Sequence, residues 1–201
     1  STDYVFDGML DRPYREDDPV GPLGAYGASK LAGELAVRAA NPRSIVLRTA
    51  WVISVYRSNF LKTVLRLGAE RPKLAVLPDQ TGCPTGAADI ASALQVIALR
   101  LMDDPQAPCG TYHFVNSVEA SWYELAQAIF ERAEEHGVST PEVQAIATAD
   151  YPTRARRPAS SRLDTSSIAR DFGIKPRPWR EAVADIVDEL LAINSNRYET
   201  G

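Results

Sequence analysis

The sequence predicts an α/β fold: half of a doubly wound parallel sheet, followed by a smaller α/β lobe. Three features carry that expectation. SIVLRTAWV (44–52) is an apolar, β-branched run suited to a strand buried on both faces of a parallel sheet. Ala, Leu, Lys and Glu dominate residues 25–40 just before it, which predicts a helix. Strand-like and helix-like segments then alternate through the rest of the chain.

Taken in order, STDYVFDG opens the chain on residues that leave or sit inside a strand. It has no Met and no polar lead-in, so a trimmed chain is expected. MLDRPYREDDPVGPL (9–23) has three prolines and a dense acidic cluster and reads as an exposed loop. The helix from Ala25 to about Ala40 stops at Asn41-Pro42. After the strand at 44–52, Phe60, Val64 and Leu67 recur at helical spacing within 59–70. KLAVL (73–77) is a short strand, DQTGCPTG (79–86) a loop, roughly 87–102 a helix and TYHFVN (111–116) another strand. Ser121 with Glu124 predicts a capping box, and Gly137 a stop, for the helix between them. VQAIA (143–147) reads as a short strand, and 151–162 as a basic, proline-rich irregular stretch. A short helix runs from Thr165 to near Gly173, and Pro178 opens a final one. Residues 1–116 are expected to form the sheet domain with crossover segments, and 117–201 mainly the smaller lobe.

The composition, 45% hydrophobic and 24% charged, suits a globular protein. The net charge of −4 offers no basic footprint for nucleic acid, and no apolar run is long enough to span a bilayer. Cys83 and Cys109 lack C-x-x-C spacing and read as reduced thiols of a cytoplasmic protein. His113 and His136 lack metal-ligand spacing, and His113, in an apolar run, reads as a packed residue.

GPLGAYGASK (21–30) poses the central question. Gly21, Gly24 and Gly27 imitate a pyrophosphate-binding turn. Such a turn needs a strand directly before it, and EDDPVGPL is loop chemistry instead. The phosphate-loop reading is therefore rejected. Tyr26 and Lys30, four residues apart, share a helix face. An ammonium near a phenol favours the phenolate, which suits proton exchange with a carbonyl or alcohol near neutral pH. An ordinary surface pair has the same spacing. Hydroxyls at strand C-termini, in Thr49-Ala50-Trp51 and in Ser1-Thr2-Asp3, could face the same carbonyl oxygen.

STDYVFDG, PYREDDPVGPLGAYGASKLAGE, VLRTAWV, SNFLKTVLRL, DQTGCPTGAADIA, GTYHFVN and RRPASSRLDTSSI together resemble the dTDP-4-dehydrorhamnose reductases of the extended short-chain dehydrogenase/reductase group. The resemblance covers nearly the whole chain, in order. It implies a Rossmann-like fold whose first βαβ units, with their glycine-rich turn, precede Ser1. It implies reduction of the C4 keto group of a nucleotide sugar with NADPH or NADH. Tyr26 would be the proton donor, Lys30 would hold the nicotinamide ribose, and Thr2 would hydrogen-bond at the reacting oxygen. Thr2, Asp3 and Trp51 would touch the sugar, with Asn59 and Phe60 nearby. Arg157, with Arg154 and Arg156 beside it, could pair with the diphosphate or form a solvated basic loop; both readings stand. Trp51 could equally be core packing.

Two departures from the family pattern are present. Ile53-Ser54-Val55-Tyr56-Arg57 replaces a Tyr-Gly pair after Trp-Val, and Ala88 stands where some members carry a Glu for a shared metal, so no metal is expected. Asp3-Tyr4 stands where dehydratases carry Asp-Glu, which argues against water elimination. An epimerase and a non-catalytic regulatory subunit of the same fold remain alternatives. Without its first units the sheet should expose an edge and apolar faces, leave the isolated chain inactive, and offer a surface for a homodimer.

Overall fold

The computed structural model describes residues 1–150 and 158–198, with 194–198 as backbone only. Helix α1 (Ala25–Ala40) forms over the predicted residues and ends where Asn41 turns extended. Strand β1 (Ile45–Arg48) follows, and the single strand expected at 44–52 is not one strand. Trp51 adopts φ +47°, a left-handed conformation that breaks the extended run. The chain resumes as β2 (Val52–Ile53) with a different partner.

Helix α2 (Phe60–Glu70) and strand β3 (Lys73–Val76) follow the sequence pattern. The segment expected to be only a loop at 79–86 contributes two short strands, β4 (Thr81–Gly82) and β5 (Thr85–Gly86). Two-residue strands with Gly at one position carry no alternation for the sequence to reveal. Helix α3 (Ala87–Asp103), strand β6 (Gly110–His113), strand β7 (Ala120–Ser121) and helix α4 (Trp122–Glu135) come next. The Ser121–Glu124 capping box is formed in both directions. The chain turns at Gly137, φ +75°, a conformation glycine adopts without steric cost. Strand β8 (Glu142–Ala145), strand β9 (Ser160–Ser161), helix α5 (Ser166–Phe172, closed by Gly173) and helix α6 (Trp179–Tyr198) complete the chain.

Parallel pairing predominates. β1 runs beside β6 from Ile45–Gly110 to Arg48–His113, β2 beside β5, and β3 beside β8. β4 lies between antiparallel β7 and parallel β9. Along the other edge of β1 a single bridge joins Thr49 to Thr2, so most of that edge is unpaired among the described residues. Leu35 and Val37 of α1 and Leu94, Leu99 and Met102 of α3 are exposed. The exposed apolar residues thus lie on helices, whereas Val46 and Leu47 of β1 and Tyr112 of β6 are buried, so the sheet does not expose the apolar faces that the sequence suggests.

The largest core lies among α2, α4, α6 and β3, around Leu61, Val64, Leu125, Ile129 and Val187. A second, under the N-terminal turn, packs Val5, Phe6, Tyr14, Ala50, Cys83, Val115 and Leu163. Tyr14 therefore anchors the otherwise exposed 9–23 loop: its hydroxyl donates to Asp7 and accepts from the Met9 amide. His113 is packed as expected, fully buried with Nδ1 against the Tyr14 carbonyl at 3.1 Å. Burial lowers its pKa to about 4, so it is neutral at physiological pH. Cys83 and Cys109 are free thiols.

Candidate active site

The N-terminal corner is built by backbone hydrogen bonding. The Asp3 amide donates to the Thr49 carbonyl (3.1 Å), which sets Thr2 and Asp3 beside the C-terminal end of β1. A 3-10 turn then spans Asp3–Val5, capped by Thr2. The Thr2 hydroxyl accepts from the Tyr4 amide (3.3 Å) and donates to Asp3 Oδ1 (3.0 Å). Both residues are buried, and Asp3 Oδ2 makes no well-aligned hydrogen bond among the described residues, although the Ser161 hydroxyl faces the carboxyl. Burial raises the Asp3 pKa to about 6, against the opposing pull of the Ser161 and Thr2 hydroxyls and nearby backbone amides.

Helix α1 packs onto this turn at Gly27. A Cβ there would sit 2.0 Å from the Tyr4 carbonyl oxygen, so only glycine permits the approach. That close contact places Tyr26 beside Tyr4, with ring centroids 5.8 Å apart and edge-to-face. Tyr26 is 57% exposed, and Lys30 is exposed one turn further along the helix. A further turn on, buried Glu34 forms a bidentate pair with Arg48 of β1 (2.7 and 3.0 Å). The Arg48 guanidinium lies over the Phe6 ring, 5.0 Å from its centroid. Gly27 and Glu34 are the buried residues of α1, one on each side of Lys30.

The opposite wall is aromatic. The left-handed backbone at Trp51 turns its indole between Gly82 and Trp122. It stacks on Trp122 at 3.5 Å and 10°, and a Cβ on Gly82 would lie 2.5 Å from its ring. Phe60 packs on Trp122 at 4.6 Å. Between the walls lies a cleft of about 550 Å³ lined by Thr2, Asp3, Tyr26, Trp51, Phe60 and Trp122, among others. Phe60, Thr63 and Trp122 also border a second groove, about 580 Å³, which runs between α2 and β3 past Arg71 and Lys73.

Of the residues singled out in the sequence, Thr2, Asp3, Tyr26, Trp51 and Phe60 share this cleft. Lys30 flanks it on α1 and does not line it. Asn59 caps α2: its side chain accepts from the Lys62 amide and donates to the Ser54 carbonyl, which pins the unusual 53–57 loop. Arg57 in that loop has φ +57°, and Tyr56 is largely exposed. Arg154, Arg156 and Arg157 lie outside the described residues. Trp122 was not singled out. Its one signal is local: it follows the Ser121 cap and so stands at the mouth of α4. Its pairing with Trp51 is long-range and has no spacing signature. Among the described residues no group of His, Cys, Asp and Glu could hold a metal ion, and Ala88 lies in the first turn of α3.

Residues 1–192 match the RmlD substrate binding domain family. The chain belongs to that family. As an RmlD substrate binding domain it is 46% identical to a dTDP-4-dehydrorhamnose reductase of Sinorhizobium fredii, covering 95% of this chain and 65% of that one. The crystal structure of a dTDP-4-dehydrorhamnose reductase from Clostridium acetobutylicum superposes with a TM-score of 0.85 at 36% identity, over 95% of this chain and 64% of that one. The Bacillus anthracis dTDP-4-dehydrorhamnose reductase, solved in complex with NADP, superposes at 0.81 with 35% identity, over 94% and 63%. The RmlD domain described here thus has the Rossmann-like fold of these reductases and spans under two thirds of their length.

Proposed function

We propose that the full-length protein reduces the C4 keto group of dTDP-4-dehydro-L-rhamnose to give dTDP-L-rhamnose, and that this domain supplies the proton donor and the sugar site. The observation that carries the reading is the convergence of Tyr26, Thr2, Asp3 and Trp51 on one cleft, with Lys30 a turn beyond Tyr26. The relatives' names, and the NADP bound to one of them, support it.

A reduced nicotinamide, when bound, supplies hydride to the sugar carbon. The exposed face of α1 that carries Tyr26 and Lys30 is open to such a group, and Lys30 would hold its ribose. The Tyr26 phenol gives its proton to the carbonyl oxygen as that oxygen gains charge, and is then reprotonated from solvent. The Thr2 hydroxyl sits at the reacting oxygen. Trp51 and Phe60 give the ring an apolar wall, and Asn59 holds the loop behind it. The groove past Arg71 and Lys73 adjoins the cleft and is a candidate for the rest of the sugar nucleotide, and Arg157 is a further candidate for its phosphates.

Tyr4 stands where water elimination needs a second carboxylate, and its ring is committed to Tyr26. That favours reduction over dehydration. We assign residues 1–116 to the cofactor-side domain and 117–201 mainly to the sugar-nucleotide lobe, with β3 crossing over to pair with β8. A cytoplasmic reductase, with NADPH or NADH as donor and a homodimer as its assembly, completes the reading.

The test is nicotinamide oxidation by the full-length protein with dTDP-4-dehydro-L-rhamnose. Tyr26→Phe should lower kcat by roughly 10²- to 10⁴-fold with little change in KM. Nucleotide-sugar binding without turnover by the wild type would instead favour a non-catalytic binding subunit.

A further inference from the structure

The Thr2 hydroxyl has one proton and two lone pairs, and the structure accounts for most of them. One lone pair takes the Tyr4 amide and the proton goes to Asp3 Oδ1. What remains for the cleft is a lone pair. A lone pair aimed at a carbonyl oxygen that is gaining negative charge repels it, whereas an O–H stabilises it. The direction of this single proton therefore bears on the reaction, and it is set by a buried carboxyl whose other oxygen, Oδ2, makes no well-aligned hydrogen bond among the described residues.

We infer that Asp3 is a positioning residue that sets the polarity of Thr2: ionised Asp3 holds the Thr2 proton away from the cleft, and neutral Asp3 releases it to donate to the substrate oxygen. When Asp3 takes a proton from water its carboxyl can donate to Thr2, and the Thr2 O–H turns into the cleft. The groups facing Asp3 are Ser161 from β9, Cys83 from the β4–β5 segment, and Thr2 and Tyr4 from its own turn, with Tyr26 across the cleft. Cys83 is buried with its thiol pushed up to about 11, so it stays neutral through the range in which Asp3 titrates. The raised pKa of Asp3 puts the change near pH 6, within reach of a rate profile.

The inference rests on the reductase reading, and its test separates the two. In the full-length protein, kcat for sugar reduction should fall about tenfold per pH unit above the Asp3 titration. It should level off once the donor is lost, after a drop of up to roughly 10²-fold, the effect of removing one hydrogen-bond donor to a developing oxyanion. Asp3→Asn cannot ionise, so whichever way its amide points the limb should vanish. A wild-type kcat that is flat across the Asp3 titration, or an Asp3→Asn profile that keeps the limb, overturns the inference. The second readout needs no turnover. The Asp3 carboxyl is titrated by carbon-13 NMR in the wild type and in Thr2→Val. Loss of the Thr2 donor should raise the Asp3 pKa, and an unmoved titration overturns the coupling. If the wild type binds the sugar nucleotide but does not reduce it, the reductase reading fails, and the NMR result alone decides between coupling and none.

Discussion

Glu34→Gln tests what holds the Tyr26 helix in place. The Glu34 and Arg48 side chains are each 5% exposed, and their nearest contact is 2.7 Å. Glutamine keeps the shape and removes the charge, leaving the Arg48 guanidinium buried beside Phe6 with no counter-ion. Breaking a buried pair from one side costs about 3–5 kcal/mol. For a chain of this size that lowers Tm by roughly 6–20 °C, at about 2–4 °C per kcal/mol. The double change Glu34→Leu with Arg48→Met removes both charges at similar volume and should come close to wild-type stability. Burial alone would raise the Glu34 pKa, but the hydrogen bonds and charge of Arg48 oppose it, and the pKa lies below the usual glutamate value. A lowered folded-state pKa stabilises above the unfolded value and is lost as pH falls through the folded one. The gap between wild type and Glu34→Gln should thus be full at pH 7 and close in strong acid. Calorimetric or denaturant unfolding across pH measures it. A gap at pH 7 under about 1 kcal/mol would refute the argument that a single buried pair seats this helix.

Two more perturbations address the walls of the cleft. Gly27→Ala gains helix propensity but drives a methyl into the Tyr4 carbonyl; overpacking of about 1–3 kcal/mol should win, seen as a lower denaturation midpoint. Trp122→Ala should remove the near-UV circular dichroism of the Trp51–Trp122 stack, cost roughly 3 kcal/mol and raise KM for the sugar nucleotide; unchanged dichroism would mean the rings are not stacked in solution.

Much of the fold was legible locally. The α1 and α4 boundaries follow from Asn41-Pro42 and from the Ser121–Glu124 box, because caps are made by residues a few positions apart. The sequence at 44–52 reads as one continuous strand because nothing in TAWV announces a left-handed tryptophan; the strain at Trp51 is sustained by Gly82 and Trp122, both distant in sequence. β4 and β5 were hidden for the same reason: their partners β7, β9 and β2 are remote and each pairing is two residues long. At the site, Y-x-x-x-K and STDYVFDG point to Tyr26, Lys30, Thr2 and Asp3, whereas the pairing of Trp122 with Trp51 is long-range and has no spacing signature.

The sequence by itself determined which residue types were available and how they are spaced on each element: a tyrosine and a lysine one helical turn apart, and a threonine and an aspartate in a tight turn. Those are properties of neighbouring residues, fixed by helix period and capping chemistry. Only the tertiary structure decided what each one meets. It set Gly27 against the Tyr4 carbonyl, buried the Asp3 carboxyl, aimed the Thr2 proton at it and clamped Trp51 against Trp122. Burial and hydrogen-bond direction depend on every element packed around a group, so they exist only once the chain is folded.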